Sequence, residues 1–191
     1  MGLPRFAVVD VETSGLSTTR HRILQIGLVV VEPDGTVVDQ WSTLVGLRWP
    51  WSRVGPRKVH GITRRALRGA PPVRDVVLEL RERVDGTIFT AHNVDFDAMF
   101  IQQAAARADV PFALERRLCT LQLSRRLDPD RLLTHRLADV CARYDVVLER
   151  HHDALSDARA TAGVLPHLLA ANGVVDEADL DPLYSAIPAS A

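Results

Sequence analysis

VVDVETSGL, residues 8–16, runs through apolar side chains and then sets two carboxylates, Asp10 and Glu12, two positions apart. Successive side chains of a strand alternate between faces, so Asp10 and Glu12 share one face while Val9 and Val11 share the other. Two like charges side by side are unfavourable unless one is protonated, both are well solvated, or a cation lies between them. The surrounding RFAVVDVE is apolar on both faces until the acids begin. That is the pattern of an interior strand whose end opens into a site.

Working outward, ILQIGLVVVE and TVVDQWSTLVGL read as two more strands, joined by the turn residues Pro33, Asp34 and Gly35. The N-terminal third is therefore a three-stranded antiparallel unit. HGITRRAL then offers Thr63 as an N-cap, and PPVRDVVLELRERV sets prolines ahead of a helical spacing at Val73, Val76, Val77, Leu80 and Val84. TIFTA is a short strand leading through His92 and Asn93 into DFDAMFIQQAAARA, which is rich in helix formers. RLCTLQLSRRL reads as a strand running into a helix, RLADVCARY as another helix, and DALSDARATAGVLPHLLAANG as the long final one, with Pro166 marking a kink or early break. Antiparallel strands followed by alternating helices and strands imply an α/β fold, a mixed sheet flanked by helices. In such sheets, sites gather at strand ends and helix N-termini.

At 191 residues the chain is long enough for one hydrophobic core and short for two domains. With 47% apolar and 25% charged residues and a formal net charge of -1, it is an ordinary globular protein and not a basic nucleic-acid coat. Any nucleic acid it handles is gripped at a local site. Cys119 and Cys141 are far apart and give neither zinc spacing nor a disulfide framework, which fits buried thiols in a reducing compartment. No stretch approaches the roughly 18 apolar residues of a membrane span, so the expectation is a cytoplasmic protein with no membrane partner.

Two further stretches carry acids at the start of a helix: Asp95 and Asp97 in HNVDFDAMF, and Asp153 and Asp157 in HHDALSDA. Such acids often cap free N–H groups and favour the positive end of the helix dipole, and Asp95 and Asp153 read as caps. Asp97 and Asp157 lie further in, where a side chain can project toward a sheet edge. On one continuous helix His152 and Asp157 would point about 140° apart. They face one cleft if His152 sits in the loop before the helix and Asp153 caps it.

Taken together, DVETSGL, AHNVDFDAMF and HHDALSDA, with VHGIT at residues 59–63, resemble the ordered signature of the DEDDh (DnaQ-like) 3′-to-5′ exonucleases. That family includes the proofreading epsilon subunit of bacterial DNA polymerase III. The resemblance spans about residues 5–170. It implies an RNase H-like fold with a five-stranded mixed sheet, an exonuclease domain over residues 1–172 and a short C-terminal tail over 173–191. It makes Asp10, Glu12, Asp97 and Asp157 the ligands of two divalent cations, Mg²⁺ or Mn²⁺, and His152 the general base. It also implies that Thr13, Leu16, His60, His92, Asn93 and Phe96 contact the substrate, the 3′ end of a single-stranded nucleic acid, with DNA favoured and nucleoside monophosphates released. The chemistry agrees: four carboxylates in one cleft require cations, and hard oxygen ligands select Mg²⁺ or Mn²⁺.

Gln25 stands where many relatives carry an acid in the second strand. No sliding-clamp motif of the glutamine-and-aromatic type is evident, so polymerase association has no support in the sequence. Trp41, Trp49 and Trp51 are candidates for base stacking, although Trp41 fits a core strand. Two rival readings compete with the exonuclease. An HD-type metal phosphohydrolase would use the His152-Asp153 dipeptide, but that class is helical throughout. A non-catalytic nucleic-acid-binding relative would not be expected to keep all five catalytic side chains.

Overall fold

The computed structural model describes residues 2–47 and 52–186. Trp49 and Trp51 lie outside these residues. Strands β1 (Phe6–Thr13), β2 (Ile23–Val31) and β3 (Val37–Leu44) form an antiparallel meander. β4 (Ile88–Ala91) and β5 (Arg117–Cys119) then add in parallel on the other side of β1, giving the order β3-β2-β1-β4-β5. The mixed five-stranded sheet is the one expected. The helices are α1 (Arg57–His60), α2 (Val73–Val84), α3 (Val94–Arg107), α4 (Thr120–Arg126), α5 (Leu137–Arg143) and α6 (Ala154–Ala171). None is long and apolar enough to cross a membrane.

The alternation of β1 divides the core. Ala7, Val9 and Val11 join the cluster under α2 and α3, while Phe6 and Val8 join the cluster under α5 and α6. Asp10 and Glu12 continue the second row, so the face that buries apolar side chains lower down carries carboxylates at the strand's C-terminal end. On α6 the buried Ala154, Ala158, Thr161, Leu165, Leu168 and Leu169 recur mostly at spacings of three and four residues, one apolar face of a helix. This helix continues through Pro166 to Ala171 instead of breaking there, because burial of its flanking turns outweighs the one hydrogen bond that proline removes.

Local details depart from expectation in places. Asn93, in the left-handed region at φ 81°, is the N-cap of α3, so Asp95 falls inside the first turn and is not the cap. Its carboxylate instead lies 3.5 Å from the guanidinium of the fully buried Arg117. Thr63 does accept the Ala66 N–H at 3.1 Å, but it caps only a turn. Trp41 is half-buried against the α2 side of the sheet, under the Arg83 guanidinium at 5.4 Å. Both cysteines are free and buried. Residues beyond Gly173 form a 3₁₀ turn at Glu177–Leu183 with Leu180 and Leu183 in the core, and the Ser185 N–H donates to the Arg117 carbonyl at 2.8 Å.

One contact sets the position of α6. Gly27 pairs with Asp10 across β1 and β2, and a β-carbon at Gly27 would collide with the backbone carbonyl of Ala154, the first residue of α6. The missing side chain is what lets the helix start so close to the sheet. Gly27→Ala should overpack this contact and lower stability by about 1–3 kcal/mol. Thermal unfolding should show a clear drop for Gly27→Ala and none for Gly2→Ala, which has open space around it.

Candidate active site

Three separated pieces of chain meet at the C-terminal end of β1. Strand β1 delivers Asp10 and Glu12. The first turn of α3, which starts immediately after β4, delivers Asp97, whose Oδ1 accepts the Val11 N–H at 3.1 Å. The first turn of α6 delivers Asp157, whose Oδ2 accepts the His152 N–H at 3.1 Å. His152 precedes the helix in the left-handed region at φ 61°, an uncommon conformation for a non-glycine residue. Asp153 holds that turn as the N-cap, accepting the Ser156 N–H at 3.1 Å. The loop placement that lets His152 and Asp157 share a cleft is thus the one adopted, and Asp153 is occupied with capping.

Glu12, His152 and Asp157 each offer a ligand atom, and all these atoms lie within 4.8 Å of one another. Glu12, Asp97 and Asp157 are buried, whereas His152 is exposed at the cleft mouth. Burial first, and then the neighbouring carboxylates Asp97, Asp157 and Glu12, push the Asp10 carboxyl well above the usual range. Burial and the charges of Asp157 and Asp153 push Glu12 up to about 7. Burial also raises Asp97 and Asp157, opposed in each case by a backbone N–H, that of Val11 or His152. Among the described residues, Asp157 Oδ1 is buried without a hydrogen-bond partner. A hard cation fits this arrangement: it would ligate the unpartnered oxygen and relieve the mutual repulsion, and carboxylate oxygens are the donors that Mg²⁺, Mn²⁺ or Ca²⁺ take.

The acids open into a cleft of about 880 Å³ whose walls include Thr13, Leu16, His60, His92, Asn93 and Phe96. Leu16 is 83% exposed at the rim and is not a core residue. Phe96 leans on Phe100, with ring centroids 4.9 Å apart. Thr13 turns its hydroxyl back onto the Gly15 carbonyl at 2.9 Å. Two histidines of the wall, His60 and His92, are already bonded. His60 contacts the Val54 carbonyl and the Ile62 N–H, and His92 contacts Thr120 Oγ1 and the His135 carbonyl, all at 2.9–3.1 Å. Burial lowers the pKa of both imidazoles. Gln25 lies beside Glu12 in the strand register, but its amide donates to Ser42 at 3.4 Å. Val59, Arg136 and His151 also line the cleft, and the sequence reading does not single them out. Val59 and His151 are the first residues of the VHGIT and HHDALSDA stretches, a usable signal; Arg136 directly precedes α5, outside these motifs.

The comparisons with known proteins agree with this geometry. The RNase_T exonuclease family model matches residues 7–165. The DNA polymerase III PolC-type of Bacillus subtilis is 34% identical over 165 residues, 86% of this chain and 11% of that protein. The PolC-type enzyme of Halalkalibacterium halodurans is 32% identical over 179 residues, 94% of this chain and 12% of that protein. The chain therefore matches only 11–12% of the length of these curated relatives. Among solved structures, exonuclease X in complex with 5′-overhanging duplex DNA is 27% identical with a TM-score of 0.67, covering 88% of this chain and 92% of that one. E. coli exonuclease I with a dA16 oligonucleotide shares the fold at 19% identity and a TM-score of 0.75, covering 88% of this chain and 41% of that one.

The raised carboxyls have a stability consequence. Glu12 moves from its ordinary 4.5 to about 7, so its contribution is full below about pH 4.5 and is lost as the pH rises through about 7. Without divalent cations, Glu12→Gln should therefore be more stable than wild type at pH 8, by at most about 3 kcal/mol, and the gap should close toward pH 4.5. Chemical denaturation of both proteins in EDTA across this range checks it. A gap independent of pH would show that Glu12 is not under this strain.

Proposed function

This chain belongs to the RNase_T exonuclease family, in its DnaQ-like 3′-to-5′ branch with the RNase H-like fold, and we propose that it removes nucleotides one at a time from the 3′ end of single-stranded DNA. The observation that carries this reading is the convergence of Asp10, Glu12, Asp97 and Asp157, with His152, in one cleft. The DNA polymerase relatives support DNA as the substrate. A five-stranded sheet is incompatible with the all-helical HD class, and Asp153 has the capping role described above.

Enzymes of this family use divalent metals. Here the four acids would hold two cations, Mg²⁺ or Mn²⁺, which when bound offset the negative charge that builds on the phosphate oxygens during cleavage. His152 takes a proton from the attacking water. The water oxygen bonds to phosphorus, the P–O3′ bond to the preceding nucleotide breaks, a nucleoside 5′-monophosphate leaves, and the O3′ left on the shortened strand takes a proton from solvent water to become its 3′-hydroxyl. With the ring nitrogens of His60 and His92 already bonded, these two shape the cleft walls. Leu16, Asn93 and Phe96 are left to meet the terminal nucleotide, and Thr13 supports the loop beside it. The unpaired cysteines fit a cytoplasmic enzyme.

A 5′-labelled single strand should shorten one nucleotide at a time, with Mg²⁺ or Mn²⁺ present and not in EDTA. Early internal cuts, or full activity in EDTA, would contradict the reading. Alanine at Asp10, Glu12, Asp97 or Asp157 should each abolish turnover in a folded protein. His152→Ala should keep cation binding, measured by calorimetry, while losing about 10²–10⁴ in single-turnover rate. A near-normal rate would remove His152 from the mechanism.

A further inference from the structure

The cleft has a neighbour that the chemistry above does not use. Beside it, a surface pocket of about 650 Å³ is formed by the end of α4 and the loop that follows, with Arg125, Arg126, Arg131, Asp128 and His135 in its wall. The two cavities adjoin. His135 belongs to the pocket and the next residue, Arg136, to the cleft, while the cleft residue His92 is bonded to the His135 carbonyl at 2.9 Å.

The charges of the pocket are unevenly committed. Asp128 is buried and internally satisfied: its carboxylate accepts the Leu132 and Leu133 N–H groups at 3.0 and 2.9 Å and contacts His135 Nε2 at 3.1 Å. These bonds fix the loop. Arg125, Arg126 and Arg131 are exposed, and among the described residues their guanidiniums have no carboxylate or other hydrogen-bond partner. Asp130 is the other acid of the loop and is exposed. A chain with net charge -1 thus concentrates three free guanidiniums at one edge of its acidic cleft. Guanidinium is the fork that matches a phosphate.

We propose that this pocket is a phosphate-binding subsite, in which Arg125, Arg126 and Arg131 hold the backbone of the nucleic-acid strand upstream of the 3′ nucleotide in the cleft. The proposal rests on the nucleic-acid reading of the cleft and deepens it. A polyanion needs cationic contacts to approach a cluster of carboxylates, and these are uncommitted ones adjoining it. Because phosphates are gripped and bases are not read, the subsite is indifferent to sequence. It acts on strands long enough to reach it and leaves the shortest substrates unaffected.

The test uses the full chain with Arg125, Arg126 and Arg131 changed to alanine, and a second triple variant with lysine at the same positions. All three side chains are exposed, and unfolding curves verify that the fold is intact. Fluorescence anisotropy with a labelled single strand of about 20 nucleotides, in Ca²⁺ to limit turnover, should show at least about tenfold weaker binding for the alanine variant and partial recovery for the lysine variant. The slope of log affinity against log salt should become shallower by about 0.7 for each phosphate that the arginines no longer neutralise. Turnover of a trinucleotide should be unchanged, since that substrate fills the cleft alone. Equal binding of the long strand and equal salt slope in wild type and alanine variant would overturn the proposal, as they would if the pocket served an acidic polypeptide, and so would a wild type that fails to bind the long strand. Absent nuclease activity with arginine-dependent binding of the long strand would leave the subsite standing and remove the exonuclease reading instead.

Discussion

Mutual repulsion among Asp10, Glu12, Asp97 and Asp157 is the constraint around which the rest of the protein is arranged. Each acid is anchored by an element whose stability lies elsewhere. β1 is held in the middle of the sheet by Phe6, Ala7, Val8 and Val9, α3 by Ala98, Phe100 and Ile101, and α6 by its long apolar face. The two cores on either side of the sheet thus oppose a repulsion that contacts within the cleft relieve only in part. The Val11 and His152 N–H groups each satisfy one carboxylate oxygen and so hold Asp97 and Asp157 in place, but Asp157 Oδ1 is left unpartnered. In the proposed role, a cation would enter this arrangement without rearranging the fold, because the Asp97 and Asp157 carboxylates are already held in place.

Placement follows from the same logic. The parallel strands β1, β4 and β5 run side by side toward one edge, and α3 begins where β4 ends, so its first turn arrives at the sheet's C-terminal edge. α6 reaches that edge only because Gly27 offers no side chain where Ala154 crosses β2. The left-handed turn at His152 then carries the imidazole across the mouth of the cleft while Asp157 stays beneath it.

Much of this is legible in the sequence. Strand alternation places Asp10 and Glu12 on one face, and the spacing of Asp153 and Asp157 in HHDALSDA separates a capping acid from an inward one. Other features are hidden for physical reasons. Asp95 reads as a cap because caps and first-turn acids share a composition; that Asn93 takes the left-handed position depends on the β4–α3 turn. Pro166 signals a break, but burial of α6 on both sides of it is a tertiary effect invisible to local propensity. Leu16 is singled out only by the family resemblance, and its exposure at the cleft rim depends on the loop after β1, which has no period in the sequence. The pairing of the buried Arg117 with Asp95, and the grouping of Arg125, Arg126 and Arg131 around Asp128, arise from loop geometry that has no period in the sequence.

Neither the acidic cleft nor the basic pocket beside it is visible in composition, because 23 basic and 24 acidic residues nearly cancel over the whole chain. What remains central is whether the four acids are a cation site. Anomalous diffraction from crystals grown with Mn²⁺ and a nucleoside 5′-monophosphate tests this most directly. Two peaks within ligand distance of Asp10, Glu12, Asp97 and Asp157, with His152 beside the phosphate, are the expected result. Manganese bound only at surface carboxylates, with the cleft acids left to water, would contradict it.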